Sequence, residues 1–123
     1  MAALIDTHCH LDVSEFDTDR GAVLARARAA GVVAQVIPGI HRAGWPFLLE
    51  LCRVEPDLYP ALGLHPVYLD DHTDADVEAL AVAVATARPV AIGEIGLDWF
   101  VEQLDRERQQ QLFDRQLAIA RAN

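Results

Sequence analysis

Residues 31–39, Gly31-Val32-Val33-Ala34-Gln35-Val36-Ile37-Pro38-Gly39, read as a helix cap, a buried strand and a turn. The run from Val32 to Ile37 is rich in β-branched residues and stops at a Pro-Gly turn signal. It lacks the polar alternation of a half-solvated strand, which fits burial on both faces. Gly31 sits where the C-terminal cap of a preceding helix belongs. Upstream, Val23, Leu24, Ala27 and Ala30 recur at helical spacing. They predict a helix beginning near Asp17, with Phe16 before it and Asp19 in its first turn. Downstream, residues 42–54 read as a second helix, with Pro46 tolerable only in the first turn.

The same alternation runs along the rest of the chain. Ala2 to Ile5 is a short apolar run ending in Asp6, and Leu58 to Leu62 is a third strand weakened by Pro60. Thr73-Asp74-Ala75-Asp76 resembles a capping box with Asp in place of Glu. Val77, Leu80, Ala81 and Val84 follow on one helical face. Pro89 to Ile92 is a fourth strand. Residues 102–122 read as a long helix whose apolar side is Leu112, Phe113, Leu117 and Ala120. Four β-α units imply parallel strands joined by crossover helices. A closed eight-unit barrel takes about 250 residues, and this chain has 123. The expected architectures are half of such a barrel or a small open four-stranded α/β sheet. No linker divides the chain, so residues 1–123 form one domain, and no self-similarity between units is evident.

Composition narrows the function classes. Ten Arg and no Lys face 19 Asp and Glu, for a net charge of −9. The chain is 52 % hydrophobic and 24 % charged, which excludes a disordered tail. The acidic balance argues against gripping nucleic acid with a broad basic surface. It is compatible with an enzyme that meets nucleic acid through bound cations. Two cysteines are too few for a disulfide scaffold, and reduced thiols in the cytoplasm are the default. The N-terminus lacks the basic segment of a signal peptide. The longest apolar-rich run, Val77 to Ala87, is broken by Glu78 and Thr86 and falls short of the roughly 20 residues of a membrane span. A soluble, cytoplasmic protein without membrane contact is expected.

The chemistry gathers at strand ends. His8 and His10 lie two apart on an extended chain and point to one side, while Cys9 points away. Two such imidazoles can chelate one divalent metal, or they are ordinary histidines at a strand end. Packing is the favoured reading of Cys9. Glu94, in Gly93-Glu94-Ile95-Gly96-Leu97-Asp98, falls on the same sheet edge. Its two oxygens can each serve one ion; otherwise it is a solvated loop acid. Asp98 reads either as a substrate-binding residue or as a turn or helix-entry residue. His65, in Gly63-Leu64-His65-Pro66, can hold a phosphate oxygen or assist proton transfer; the plainer reading is a loop histidine locked by Pro66. His41 has a similar position in a weaker context. His72, among Asp70, Asp71 and Asp74, reads as a solvated loop residue, and Trp99-Phe100 as a cleft lining or as packing. No phosphate-cradling Gly-rich loop and no Ser nucleophile elbow occurs.

Taken together, Asp6-Thr7-His8-Cys9-His10-Leu11-Asp12, Gly63-Leu64-His65-Pro66 and Gly93-Glu94-Ile95-Gly96-Leu97-Asp98 resemble the TatD family of metal-dependent hydrolases. The resemblance runs from the first residue to the last. It implies a TIM barrel of the amidohydrolase type, of which this chain is the (βα)4 N-terminal half. It also implies a cytoplasmic nuclease or phosphoesterase that depends on divalent metal ions, two per complete site (Mg, Mn or Zn), with DNA as substrate. On that resemblance His8 and His10 ligate one metal, Glu94 bridges to a second, and His65 lies near the phosphate. Glu94 and His65 are then the catalytic candidates, and His65 and Asp98 the substrate-binding ones. Family members are about twice as long, with further histidine ligands and a late aspartate on strands that this chain does not reach. The expectation is a fragment of a longer reading frame, or a half-barrel that pairs with a second half-barrel chain. Two other readings stay open: a non-catalytic half-barrel or interaction module, and a hydrolase cutting an amide or a lactone.

Overall fold

The computed structural model describes residues 2–123. Four strands, β1 (Leu4–Asp6), β2 (Val32–Pro38), β3 (Leu58–Leu62) and β4 (Ala91–Ile92), form one sheet in the order 1-2-3-4. Every neighbouring pair is parallel. Each strand is followed by a helix: α1 (Arg20–Ala29), α2 (Trp45–Val54), α3 (Asp74–Ala87) and α4 (Arg106–Ala122). Sequential order with right-handed crossovers winds all helices onto one face of the sheet. The result is a curled (βα)4 half of a TIM barrel.

The register shows which residues face the helices. Ile5 pairs with Ala34, Val36 with Tyr59 and Ala61 with Ala91. Directly paired residues share a face, so these six line the side away from the helices. Ile5 is 64 % exposed there, because nothing packs over it. The opposite parity, Ile37, Leu58 and Leu62, joins Leu24, Leu48 and Leu80 of the helices in the buried core.

Element ends differ from the sequence reading where side chains tie back. α1 starts at Arg20 rather than near Asp17. Ser14–Phe16 form a separate 3-10 turn, and Arg20 donates to the carbonyls of Leu11 (2.6 Å) and Val13 (2.9 Å). The second helix opens with a 3-10 turn at Arg42–Gly44, capped by His41 Nδ1 accepting from the Gly44 N–H (3.2 Å). The Thr73 cap is present, with the Thr73 N–H and Oγ1 both donating to Asp76 Oδ2 at 2.8 Å. β4 is shorter than expected, and α4 starts at Arg106 because Asp105 accepts from the Arg108 N–H (3.0 Å). On α4 the buried residues are Gln109, Leu112 and Gln116, whereas Leu117 is 39 % exposed and Ala120 is exposed. Glutamine could replace an apolar residue inside because its amide finds backbone partners, described below. On α3, Ala81 is exposed beside the buried Val77, Leu80 and Val84.

Cys9 and Cys52 are free thiols packed against the core. Burial, and then nearby Asp12, push the Cys52 thiol up to about 12. Among the described residues no helix is long and apolar enough to cross a membrane.

Candidate metal centre

The residues just past each strand stay hydrogen-bonded to the neighbouring strand or loop, and this holds the site. The His8 N–H donates to Asp6 Oδ1 (3.0 Å) and the Cys9 N–H to the Val36 carbonyl (3.1 Å). The His65 N–H donates to the Ile40 carbonyl (2.8 Å), and the Glu94 N–H to the Gly39 carbonyl (2.9 Å). Glu94 therefore reaches inward across Gly63. A Cβ on Gly63 would lie 2.6 Å from the Gly93 carbonyl carbon and 2.8 Å from Glu94 N, closer than real Cβ contacts come. Only glycine lets the two backbones pass.

These anchors bring His8, His10 and Glu94 together. His8 Nε2 stands 3.0 Å and His10 Nε2 3.2 Å from Glu94 Oε2. The two imidazole nitrogens are 3.2 Å apart, with the rings edge to face. Yet Glu94 Oε2 is buried and accepts no hydrogen bond. Three potential ligand atoms thus converge on a common point. A cation about 2.0–2.2 Å from each of three ligands separates them by about 3 Å, which is the triangle seen here. The donor set of two imidazoles and a carboxylate suits a divalent metal. Among the described residues this is the cluster that could hold one.

His65 sits on the other side of the same carboxylate, with Nε2 at 3.1 Å from Glu94 Oε1. Its Nδ1 accepts from the Val67 N–H (3.1 Å), which leaves the proton on Nε2. The structure thus brings together four of the five residues named from the sequence. Asp98 is the exception. Its Oδ1 accepts from the Phe100 N–H (2.9 Å), so it shapes a turn. Trp99 and Phe100 are 56 % and 93 % exposed on that turn, and Arg106 lies 5.1 Å over the Trp99 ring.

His72 is not solvated. It is 3 % exposed, and its Nε2 donates to the His65 carbonyl (2.9 Å). Burial pulls its pKa below the ordinary histidine value. The sequence reads it as a solvated loop residue because its acidic neighbours look solvated, and the long-range fold over it is invisible locally.

Two residues that support the site are not among the candidates named from the sequence. Gln116 and Gln109 are each 1 % exposed. Gln116 grips Leu64, accepting from its N–H (2.8 Å) and donating to its carbonyl (3.2 Å). Gln109 grips Asp98 in the same way, at 2.6 and 3.0 Å. Seven residues apart, they lie on one face of α4 and hold the loops carrying His65 and Glu94. Their heptad spacing was the available clue.

Comparisons with known proteins follow the same outline. A family model described as TatD related DNase matches residues 5–123. The chain is 44 % identical over 119 residues to the "Uncharacterized metal-dependent hydrolase YjjV" of Escherichia coli K12, covering 95 % of this chain and 46 % of that protein. The crystal structure of that TatD homolog superposes with a TM-score of 0.91 at 43 % identity, over 97 % of this chain and 47 % of the other. "Deoxyribonuclease TATDN3" of Homo sapiens is 34 % identical over 131 residues, covering 96 % of this chain and 48 % of that protein. "3'-5' ssDNA/RNA exonuclease TatD" of Erwinia tasmaniensis is 33 % identical over 118 residues, 95 % of this chain and 46 % of that protein. The chain spans about half the length of the curated relatives it matches.

Proposed function

The chain belongs to the TatD-related DNase family of metal-dependent hydrolases, and on that premise we propose that it carries the N-terminal half of a site that hydrolyses phosphodiester bonds in DNA. The observation that carries this reading is the triangle of His8 Nε2, His10 Nε2 and Glu94 Oε2, whose oxygen accepts no hydrogen bond. These three residues would hold one divalent cation, and the Glu94 carboxylate, whose other oxygen faces His65, would help to hold a second. Mg, Mn and Zn all suit the donors. When bound, such ions polarise a phosphoryl oxygen and lower the pKa of a coordinated water. The protein's own residues do the rest. Glu94 fixes the distance between the His pair and His65, and His65 offers its Nε2 proton to a phosphate oxygen. The net charge of −9 is then no obstacle, because bound cations supply the local positive field.

The names of the human and Erwinia relatives support a nucleic acid substrate. Residues 1–123 act as one half-barrel segment. Its partner is a second half-barrel, either a C-terminal segment or another chain, seated on the open face marked by Ile5 and Tyr59. Two unpaired thiols fit a reducing, cytoplasmic setting.

Calorimetric titration with Mn²⁺ and Zn²⁺ tests the metal claim on the chain itself. The expected result is binding that Glu94→Ala abolishes. Cleavage of a DNA oligonucleotide with Mg²⁺ or Mn²⁺, alone and with a complementing half, tests the reaction. Absence of metal-stimulated cleavage in the assembled form would overturn the hydrolase reading in favour of a non-catalytic module. Cleavage of amide or lactone substrates in place of DNA would move it to another bond.

A further inference from the structure

The turn that follows Glu94 carries an apolar patch that none of the roles above uses. Leu97, Trp99 and Phe100 are 41 %, 56 % and 93 % exposed. At that exposure both faces of the Phe100 ring meet solvent. Exposed apolar residues scattered singly are ordinary, whereas grouped ones mark contact surfaces. The turn is also held stiffly. The Phe100 N–H donates to Asp98 Oδ1 (2.9 Å), and the buried Gln109 amide holds both backbone groups of Asp98 (2.6 and 3.0 Å). The fold thus braces a turn whose aromatic side chains it leaves in water. The exposed Arg106 places its guanidinium carbon 5.1 Å from the Trp99 ring centroid. Among the described residues no carboxylate forms an ion pair with it. Asp98 and Asp105 nearby accept from backbone N–H groups, while Glu102 and Glu107 face solvent.

Place and chemistry together select the ligand. Phe100 lies past the C-terminal end of β4, the side of a β/α barrel on which substrates are met. It follows Glu94 by six residues, which span at most about 22 Å, so a strand held at the cluster reaches the turn within several nucleotides. A second half-barrel closes on the sheet face at Ile5 and Tyr59 and leaves the turn to another ligand. An unpaired base has a flat face that stacks on an aromatic ring whatever its sequence, and a guanidinium beside the ring meets a phosphate. A duplex keeps its base faces covered by its own stacking. We propose that the Trp99–Phe100 turn is a stacking platform for single-stranded nucleic acid, with Phe100 receiving a base and Arg106 a neighbouring phosphate. The platform rests on the phosphodiesterase reading for its place in the reaction, but its test needs neither metal nor hydrolysis.

Trp99 supplies the readout. A base stacked beside its exposed indole quenches the emission, whereas Trp45 is 5 % exposed and its Nε1–H is bonded to the Gly63 carbonyl (3.2 Å). The whole chain is titrated in EDTA with a short oligodeoxythymidylate and with a duplex of the same length, at physiological salt to screen the net charge of −9. Saturable quenching by the single strand is expected, and far weaker binding of the duplex. Phe100→Ala should lower the single-strand affinity at least about fivefold, and Phe100→Tyr should retain it. Arg106→Gln should lower the affinity and flatten its salt dependence. Phe100 touches so little of the fold that its variants keep it. Absence of saturable quenching, equal binding of the duplex, or unchanged affinity in Phe100→Ala or Arg106→Gln would overturn the platform even if DNA is cleaved. A Phe100→Ala chain that keeps the oligonucleotide but loses association with a complementing half would overturn it in favour of a protein contact. Quenching with the expected losses would sustain it even if the hydrolase assay failed.

Discussion

Gln116 holds both backbone polar groups of Leu64, 52 residues earlier in the chain. The next residue is His65, whose Nε2 meets Glu94. A single buried amide on the last helix therefore sets the height of a histidine at the end of the third strand. Gln109, two turns earlier on the same face, does the same for the loop that follows Glu94.

Removing that grip should cost stability. Gln116→Leu keeps the volume but leaves a buried N–H and a buried carbonyl without partners. The expected loss is about 2–4 kcal/mol, from two unsatisfied groups at about 1–3 kcal/mol each with partial relief by relaxation. Urea denaturation measures it. A change below about 0.5 kcal/mol would show that water replaces the amide freely.

Gly63→Ala should damage the proposed metal centre more than the fold. The added methyl must push away the Gly93–Glu94 backbone, which positions the Glu94 side chain. Divalent cation affinity should fall at least about tenfold, one such step being about 1.4 kcal/mol, while the helical circular dichroism persists. Calorimetry with Mn²⁺ on the variant provides the check, and wild-type affinity would refute the close approach.

His72 should make the fold sensitive to acid. Its pKa is lowered by burial, against smaller opposing effects of its bond to the His65 carbonyl and of Asp76 and Asp71. The folded state thus holds the neutral form. Its contribution is fully present above the unfolded value of about 6.5. It is lost as pH falls from there toward the lower folded value, because the unfolded chain binds the proton first. Chemical denaturation between pH 7.5 and 5 should show falling stability, with a shallower slope in His72→Gln. Equal slopes would assign the effect to the other histidines.

Thr73→Ala should remove the cap of α3, where Thr73 Oγ1 donates to Asp76 Oδ2 (2.8 Å). A loss of about 1 kcal/mol is expected, read as a lower thermal midpoint. Hydrogen bonding to Thr73, backbone first and then side chain, also holds the Asp76 carboxyl below the usual carboxylate range. Its contribution is present above about pH 3.9 and disappears as pH falls through the lower folded value.

What the sequence determined by itself is whatever depends on neighbours close in the chain. The order of strands and helices follows from runs of β-branched residues and from helical spacing. The convergence of His8 and His10 follows from the two-residue repeat of an extended backbone, and the Thr73 cap from residues three apart. Folding alone decided the rest. Glu94 reaches the His pair only because β1 and β4 curl toward each other around two intervening strands. His72 lies inside because Leu69 and α4 close around its turn, its own carbonyl bonded by Arg108. Gln109 and Gln116 belong to the interior because each finds a distant backbone with one free N–H and one free carbonyl. A glutamine's preference for water reverses only when such a partner is present, and no local pattern records where that partner will be.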